Sequence, residues 1–177
     1  MAPSKTLPPS SKSWPHEDSA ALNAYYGNPR GAHADEASTG WEAANLIRWV
    51  PVYPMYYSDG AMTPLKTLRI HKLCFNAFEA AFQDVLKTLG HDYIAAHRLN
   101  ISGGTYCFRL QRGGTRLSVH AWGCAIDMDP GHNPFPAKWT GGPMIDAKFA
   151  AILQKHGFGW RGAPGDDDPM HFQLCFH

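Results

Sequence analysis

The sequence predicts a small α+β domain in which an antiparallel sheet is flanked by two main helices. Two observations lead to this prediction: a long central run has apolar residues at helical spacing, and shorter β-like runs follow it. The chain has 177 residues, of which 44% are hydrophobic and 18% charged. It is therefore long enough for one domain with a modest appendage, and it can bury a core.

The N-terminal third of the chain divides into two predicted units. Residues 1–15 are rich in Pro, Ser and Lys and are predicted to be a flexible tail. Residues 16–62 mix turn formers with aromatic residues and are predicted to be an aromatic-rich elaboration, with short helices at 19–26 and 41–49. One aromatic cluster is interpreted as packing over the core, with a binding groove as the alternative; it comprises Trp49, Tyr53, Tyr56 and Tyr57.

The clearest predicted helix begins the main domain, residues 63–177. Thr63 is suited to the N-cap, Pro64 to the first helical position, and Gly90 to the end of the helix. Apolar residues recur between these points at helical spacings, from Leu68 to Leu89. We expect this helix to be part of the core, and His71 within it to be structural.

After Asp92 the apolar pattern shortens to a period typical of strands. We predict strands at 93–99, 105–110 and 124–128, a second helix from near Pro143 to Gly157, and a final strand at 170–176. In that last strand, alternation places His171 and Gln173 on the face opposite Phe172.

Composition and charge exclude several classes of function. Sixteen Lys and Arg against fifteen Asp and Glu give a net charge of +1, so there is no electrostatic basis for binding nucleic acid. No run approaches the roughly 18 apolar residues of a membrane span, and the N-terminus does not have the pattern of a secretory signal. The four cysteines form no Cys-x-x-Cys pair and are interpreted as free thiols, with one or two disulfides as the alternative outside the cell.

The stretches 118–129 and 166–172 carry the chemistry. His120, Asp127 and His171 offer two imidazoles and one carboxylate, a set typical of a catalytic zinc site that keeps a fourth position for water. Asp127 follows strand alternation opposite Ile126, and His120 precedes its strand at a turn that Gly123 allows to bend. We therefore expect two adjacent strands and this turn to direct the three side chains to one point.

The pattern Ser-x-His-x-x-Gly-x-Ala-x-Asp-x-Asp, followed by acid-x-x-His-Phe, resembles the zinc D-Ala-D-Ala peptidases over roughly residues 65–177. That family shares a fold with lysostaphin-type enzymes and the hedgehog signalling domain. The resemblance implies a hedgehog/DD-peptidase-like fold with a Zn²⁺ site on the sheet, and makes residues 63–177 the zinc peptidase domain. It also implies that His120, Asp127 and His171 are the ligands.

The resemblance assigns further roles. The general base is expected at Asp168, three residues before the last histidine, with Asp167 and Asp166 as competitors. Arg109 is expected to stabilise the oxyanion, with Arg112 and Arg116 as alternatives on the same stretch of the chain.

Two more residues of the motif are candidates for supporting roles. Ser118 is expected to orient a ligand from outside the metal's coordination shell. Asp129 is expected to orient a ligand or meet a substrate ammonium, with turn capping as the alternative.

The implied function is hydrolysis of an amide bond in the peptide stems of bacterial peptidoglycan. The family contains D-Ala-D-Ala carboxypeptidases and bacteriolytic phage endolysins that cut the L-alanyl-D-glutamate bond, and both kinds stay open for this chain. We expect a monomer, of phage, prophage or bacterial origin, that is made in the cytoplasm and acts on the wall after release. The alternatives are an inactive metal-binding domain that binds muropeptides and a non-haem iron oxygenase, although the latter usually holds its first ligands as His-x-Asp.

Overall fold

The computed structural model describes residues 14–33 and 35–177 and has an α+β architecture. The predicted tail at 1–15 lies almost entirely outside the described residues. The α-helices are α1 Ser19–Tyr26, α2 Thr39–Asn45, α3 Phe75–Ala96 and α4 Ala147–Lys155, and short 3-10 helices span Lys72–Cys74 and Val119–Trp122. Within residues 14–33 and 35–177, no helix combines the length and apolar character that crossing a bilayer requires.

Six strands form the main sheet. Their bounds are β2 Met55–Tyr57, β3 Pro64–Leu65, β5 Ile101–Gly104, β6 Ala125–Met128, β7 Gly159–Trp160 and β8 His171–Gln173. Their order across the sheet is β3-β2-β5-β6-β8-β7. The expectation of an antiparallel sheet was wrong in one place, because β2 and β5 pair in parallel. The other four pairings are antiparallel, including β6 with β8.

The two remaining strands, β1 Leu46–Trp49 and β4 Leu68–His71, form a separate antiparallel pair. This pair corrects two predictions. The helix expected at 41–49 ends at Asn45, after which the chain continues as β1. The helix expected from Thr63 begins only at Phe75, because Pro64 lies in β3 and Leu68 begins β4.

The region around Gly90 differs from the prediction in a related way. Gly90 has a φ of 77° and interrupts the helix, as expected, but helical structure resumes after it and continues to Ala96. The strand predicted at 93–99 is therefore mostly helix. The strand predicted at 105–110 is an irregular segment with one isolated bridge, between Leu110 and Leu117.

The other element predictions hold more closely. Helix α1 occupies the predicted residues 19–26, and the side chain of Asp18 caps it by accepting a bond from the Ala21 amide at 2.8 Å. Helix α4 lies within the predicted helix but begins after Asp146, which caps its first turn. Strands β6 and β8 lie within the predicted strands 124–128 and 170–176.

Aromatic side chains build the core between the main sheet and helices α3 and α4. Phe149 of α4 contacts Phe82 of α3 at a ring-centroid distance of 6.3 Å and Phe172 of β8 at 5.7 Å. Trp49 and Tyr53 are buried and pack on Phe82, which supports the packing interpretation for that half of the aromatic cluster. All four cysteines are free thiols, and Cys107 is the exposed one.

Candidate metal centre

The candidate site lies on the face of the main sheet that points away from α4. Neighbouring residues of a strand point to opposite faces, so Phe172 packs on α4 while His171 faces the other way. Asp127 of β6 is paired directly with His171 of β8 in the register. Antiparallel pairing therefore brings together two side chains that are 44 positions apart in the chain.

The third side chain, His120, comes from the 3-10 helix that precedes β6. Ser118 caps this helix, its hydroxyl accepting a bond from the His120 amide at 3.4 Å. Gly123 ends it with a φ of 67°, and a Cβ there would lie 2.9 Å from the His71 amide nitrogen. A tight turn packed against β4 thus holds His120 next to β6 and β8. The sequence predicted that Gly123 allows the chain to bend here.

Three donor atoms form a compact triangle. His120 Nε2 lies 3.2 Å from Asp127 Oδ1 and 3.2 Å from His171 Nδ1. The third side, from His171 Nδ1 to Asp127 Oδ1, measures 2.9 Å. The two histidines are buried and the aspartate is half-buried, so the triangle lies at the floor of a recess.

The triangle fits a zinc ion in both size and chemistry. Tetrahedral zinc with bonds of about 2.0–2.1 Å separates two donor atoms by about 3.3 Å, close to the three measured sides. Two imidazole nitrogens and one carboxylate oxygen, with no thiolate in the group, are typical of catalytic rather than structural zinc.

Hydrogen bonds on the far side of each imidazole decide which nitrogen faces the triangle. His120 donates its Nδ1 hydrogen to the Thr105 carbonyl oxygen, which leaves Nε2 free to face the other donors. His171 uses the opposite arrangement, with Nε2 bonded to Gln173 Oε1 at 3.0 Å and Nδ1 facing the triangle. Each ring is therefore held in the orientation that a metal ligand requires.

The two histidines affect the pKa of Asp127, and Asp127 in turn affects the pKa of His171. Burial alone would raise the pKa of Asp127, but the charges and hydrogen bonds of His120 and His171 outweigh it and hold that pKa well below its usual range. Burial opposes protonation of His171, yet the hydrogen bond and charge of Asp127 raise its pKa overall. The aspartate therefore stays ionised, which is the form that binds a cation.

Asp168 lines the same cavity as the three donors, which has a volume of about 270 Å³. Burial raises the pKa of its carboxyl group, against a weaker opposing effect from the charge of His171. Its Oδ1 atom is buried without a hydrogen-bond partner in the described part of the chain. An acid with a raised pKa and an unused oxygen beside the donor triangle is suited to accept and return a proton.

The two competing acids are placed differently. Asp166 contacts Arg161 at 3.5 Å and His177 at 3.7 Å, and neither it nor Asp167 is among the residues that line the cavity. The backbone explains why Asp168 lies beside the donors. The His171 amide donates to the Asp168 carbonyl oxygen at 3.1 Å, in a turn that joins the two residues. Of these three acids, Asp168 is therefore the one that lines the cavity together with the three donors.

The arginines predicted to act on the substrate carbonyl all border the cavity. Arg109, Arg112 and Arg116 are among the residues that line it. The Arg109 guanidinium donates to the Leu110 carbonyl oxygen at 3.2 Å, and Arg112 is close enough for its charge to act on Asp168. Arg161, which the motifs did not single out, lines the same cavity.

Asp129 is turned away from the triangle. The chain leaves β6 after Met128, and Asp129 has a φ of 42°, so strand alternation no longer applies to it. Its carboxylate instead forms two bonds with Arg98, at 2.7 and 2.9 Å, and contacts His132 at 3.1 Å. These contacts agree with the alternative of a structural turn residue.

Three residues that support the site were not predicted from the sequence. Thr105 acts through its backbone carbonyl, which leaves no signature in the sequence. Gln173 shares the face of His171 by simple alternation, a signal that was present. Glu17 bonds to Gln173 at 2.9 Å across a separation of 156 positions, which no local pattern reveals.

A protein-family model described as D-alanyl-D-alanine carboxypeptidase matches residues 112–174. The matched segment contains all three donors, Asp168 and Ser118, and it confirms the resemblance to D-Ala-D-Ala peptidases. Arg109 and Glu17 lie outside it. Comparison with curated proteins and with solved structures gives no match.

Proposed function

We propose, on the premise that residues 112–174 belong to the D-alanyl-D-alanine carboxypeptidase family, that this protein is a zinc peptidase acting on the peptide stems of bacterial peptidoglycan. The observation that carries the proposal is the triangle of His120 Nε2, Asp127 Oδ1 and His171 Nδ1, with sides of 2.9–3.2 Å. These three residues would hold the ion. We also propose the hedgehog/DD-peptidase fold and the domain limits 63–177.

A bound zinc ion lowers the pKa of a water ligand to about 7 and polarises a carbonyl group. The chain's own residues supply the proton transfers and the binding. Asp168 accepts the proton of the attacking water and then delivers it to the amine of the departing peptide. Because burial raises the pKa of Asp168, the carboxyl group gives the proton back less readily than an exposed aspartate would but captures it more readily from the water.

Negative charge develops on the scissile carbonyl oxygen as the water attacks, and a cationic side chain stabilises it. Arg109 is our first candidate for this role and Arg112 the second, since both line the cavity. The same arginines favour a substrate that carries a carboxylate, and both the D-Ala-D-Ala bond and the L-alanyl-D-glutamate bond have one near the cut.

The test is digestion of purified peptidoglycan, with the released muropeptides analysed by mass spectrometry. We expect new termini at one bond type, either D-Ala-D-Ala or L-alanyl-D-glutamate, together with about one zinc per chain by elemental analysis. A chelator should abolish cleavage and added zinc should restore it. Bound muropeptide without any cleavage would instead indicate an inactive binding domain.

An iron enzyme is tested in the same preparation. Two histidines and one carboxylate also suit iron, so oxygen consumption by protein loaded with iron(II) is measured in parallel. Oxygen uptake without peptidoglycan cleavage would overturn the peptidase proposal.

Because the proposed substrate lies in the cell wall, we further propose that the protein acts after release from the cytoplasm, as an endolysin does.

A further inference from the structure

A chain of hydrogen bonds connects the N-terminal segment to the candidate metal centre. Glu17 Oε2 accepts a bond from Gln173 Nε2 at 2.9 Å, and Gln173 Oε1 accepts one from His171 Nε2 at 3.0 Å. Gln173 is 1% exposed, so bulk water cannot replace either contact. The other imidazole nitrogen, His171 Nδ1, faces Asp127 and His120.

The chemistry of these groups gives the chain of bonds one direction. An ionised carboxylate only accepts hydrogen bonds, so the group that Gln173 turns to Glu17 must be its NH₂. The amide carbonyl then points to His171, which must carry its hydrogen on Nε2 to donate to it. In the neutral imidazole, which is the form that binds a metal, Nδ1 then carries the lone pair on the side of the donor triangle.

Glu17 is held in place from several sides. Its amide donates to the Phe176 carbonyl oxygen at 2.6 Å, in a short parallel bridge between His16 and Phe176. Its carboxylate also contacts Arg161 at 3.5 Å and His177 at 3.2 Å. The side chain is 17% exposed, so its position is fixed by these partners rather than by solvent.

A second acceptor for Gln173 is weaker. The Cys175 carbonyl oxygen lies 3.5 Å from Gln173 Nε2, at the limit of a hydrogen bond, whereas Glu17 is nearer, at 2.9 Å, and charged. Hydrogen bonds to charged groups are roughly twice as strong as neutral ones. Glu17 is therefore the stronger of the two groups that orient the amide.

We propose that Glu17 is a positioning residue of the metal centre, which acts through Gln173 to keep His171 in the tautomer that presents Nδ1 as a ligand. As far as it concerns zinc, this inference rests on the proposed function. It goes beyond the segment 112–174 that matches the family, because Glu17 comes from the N-terminal segment. The N-terminal segment would then contribute to metal binding as well as to packing.

The central variant is Glu17→Ala, which removes the acceptor and lets the Gln173 amide turn over. We expect zinc affinity, measured by competition with a chelator, to fall about tenfold, the lower end of the range for groups that orient a metal ligand. In the zinc-free protein at alkaline pH, where the Asp127 carboxylate competes for a hydrogen on Nδ1, nitrogen NMR should show a smaller share of the Nε2–H tautomer of His171 than in the unaltered protein.

The double variant Glu17→Ala/Gln173→Glu tests the direction of the bonds. A carboxylate at position 173 can only accept, so it should restore the Nε2–H tautomer and most of the zinc affinity without Glu17. A residue that merely tethers the N-terminal segment would not be rescued in this way. The matched control is Glu42→Ala, which removes an ion pair of the N-terminal segment with Arg69, 3.2 Å long and outside the cavity, and should leave both readouts unchanged.

Unchanged zinc affinity and an unchanged His171 tautomer in the Glu17→Ala variant would overturn the inference, whatever happens to thermal stability. Failure of the double variant to restore the tautomer, in a folded protein, would overturn it too. The proposed function fails separately, if the unaltered protein binds no zinc or cleaves no peptidoglycan. The tautomer measurement needs no metal, so it tests the role of Glu17 in either case.

Discussion

Asp168 and His120 line one cavity, but their surroundings give them different tasks. Asp168 has a buried oxygen with no partner among the described residues, whereas His120 is bonded on both ring nitrogens. We expect Asp168→Asn to keep zinc at the level of the unaltered protein and to lower kcat by about 10²–10⁴, the usual contribution of a general base. Elemental analysis and a muropeptide cleavage assay on the same sample measure both quantities.

Asp167→Asn is the matched control, because Asp167 neighbours Asp168 but does not line the cavity. It should cleave at close to the normal rate. Near-normal cleavage by Asp168→Asn would reject Asp168 as the base and turn attention to Asp166 or Asp167.

His120→Ala should differ from Asp168→Asn because it should lose zinc as well as activity. Because its Nε2 is one corner of the donor triangle, His120→Ala leaves two donors, and we expect zinc content and cleavage to be lost together. His132→Ala serves as the control, since His132 contacts Asp129 outside the cavity. Full zinc content in the His120→Ala protein would contradict the assignment of this residue as a ligand.

Single residues could be predicted from the sequence where a side chain acts within a motif. His120, Asp127 and His171 stand at motif spacings, and the structure brings their donor atoms together. Asp129 shares that motif, yet a positive φ turns it to Arg98, and spacing alone does not reveal a backbone reversal. Thr105 and Glu17 could not be predicted, because one acts through its backbone and the other across 156 positions.

At the scale of elements, the turn that carries His120 depends on Gly123. Its φ of 67° disfavours any other residue, and a Cβ would lie 2.9 Å from both the His71 amide nitrogen and a Leu46 methyl carbon. Gly123→Ala should therefore lower the free energy of unfolding by more than the roughly 1–2 kcal/mol that a left-handed residue costs. Chemical denaturation measures this loss, and we expect zinc affinity to fall with it.

Gly113→Ala is the control that separates the backbone cost of a positive φ from the cost of the close contact between the Gly123 turn and β4. Gly113 has a similar φ of 70°, but no atom beyond its chain neighbours lies within 4 Å of the point that a Cβ would occupy. Gly113→Ala should therefore lower the free energy of unfolding by the backbone cost alone. Equal losses for the two variants would mean that the contact between the turn and β4 is unimportant.

Elements were predicted well where local signals suffice and poorly where pairing is non-local. Helix α1 has its own cap at Asp18 and was predicted with its observed bounds. Leu68 fits a helical spacing, but β4 forms because it pairs with β1, which lies much earlier in the chain. Gly90 ends a helix as expected, yet no local pattern after it indicated that helical structure resumes.

At the scale of the whole molecule, the protein has a core that extends beyond the segment matching the family. Trp14, Leu22, Tyr26 and Trp41 of the N-terminal segment belong to the same buried cluster as Phe149 and Phe172. His71 joins this segment to the rest, since its Nε2 hydrogen is donated to the Tyr26 carbonyl oxygen at 3.0 Å. The expectation that His71 is structural agrees with these contacts.

The same histidine should make stability depend on pH. Burial, against the hydrogen bond to Tyr26, lowers the pKa of His71 from 6.5 to about 4. Between pH 4 and pH 6.5 the unfolded chain binds a proton at His71 that the folded chain does not. The contribution of His71 to the free energy of unfolding is therefore fully present above about pH 6.5, and it falls by about 3 kcal/mol as the pH drops to 4. His71→Asn, which keeps an acceptor for the Leu73 amide, should be less stable at pH 7, and this deficit should shrink by about that amount at pH 4. Urea unfolding of both zinc-free proteins measures the difference, and a deficit independent of pH would show that His71 is not the titrating group.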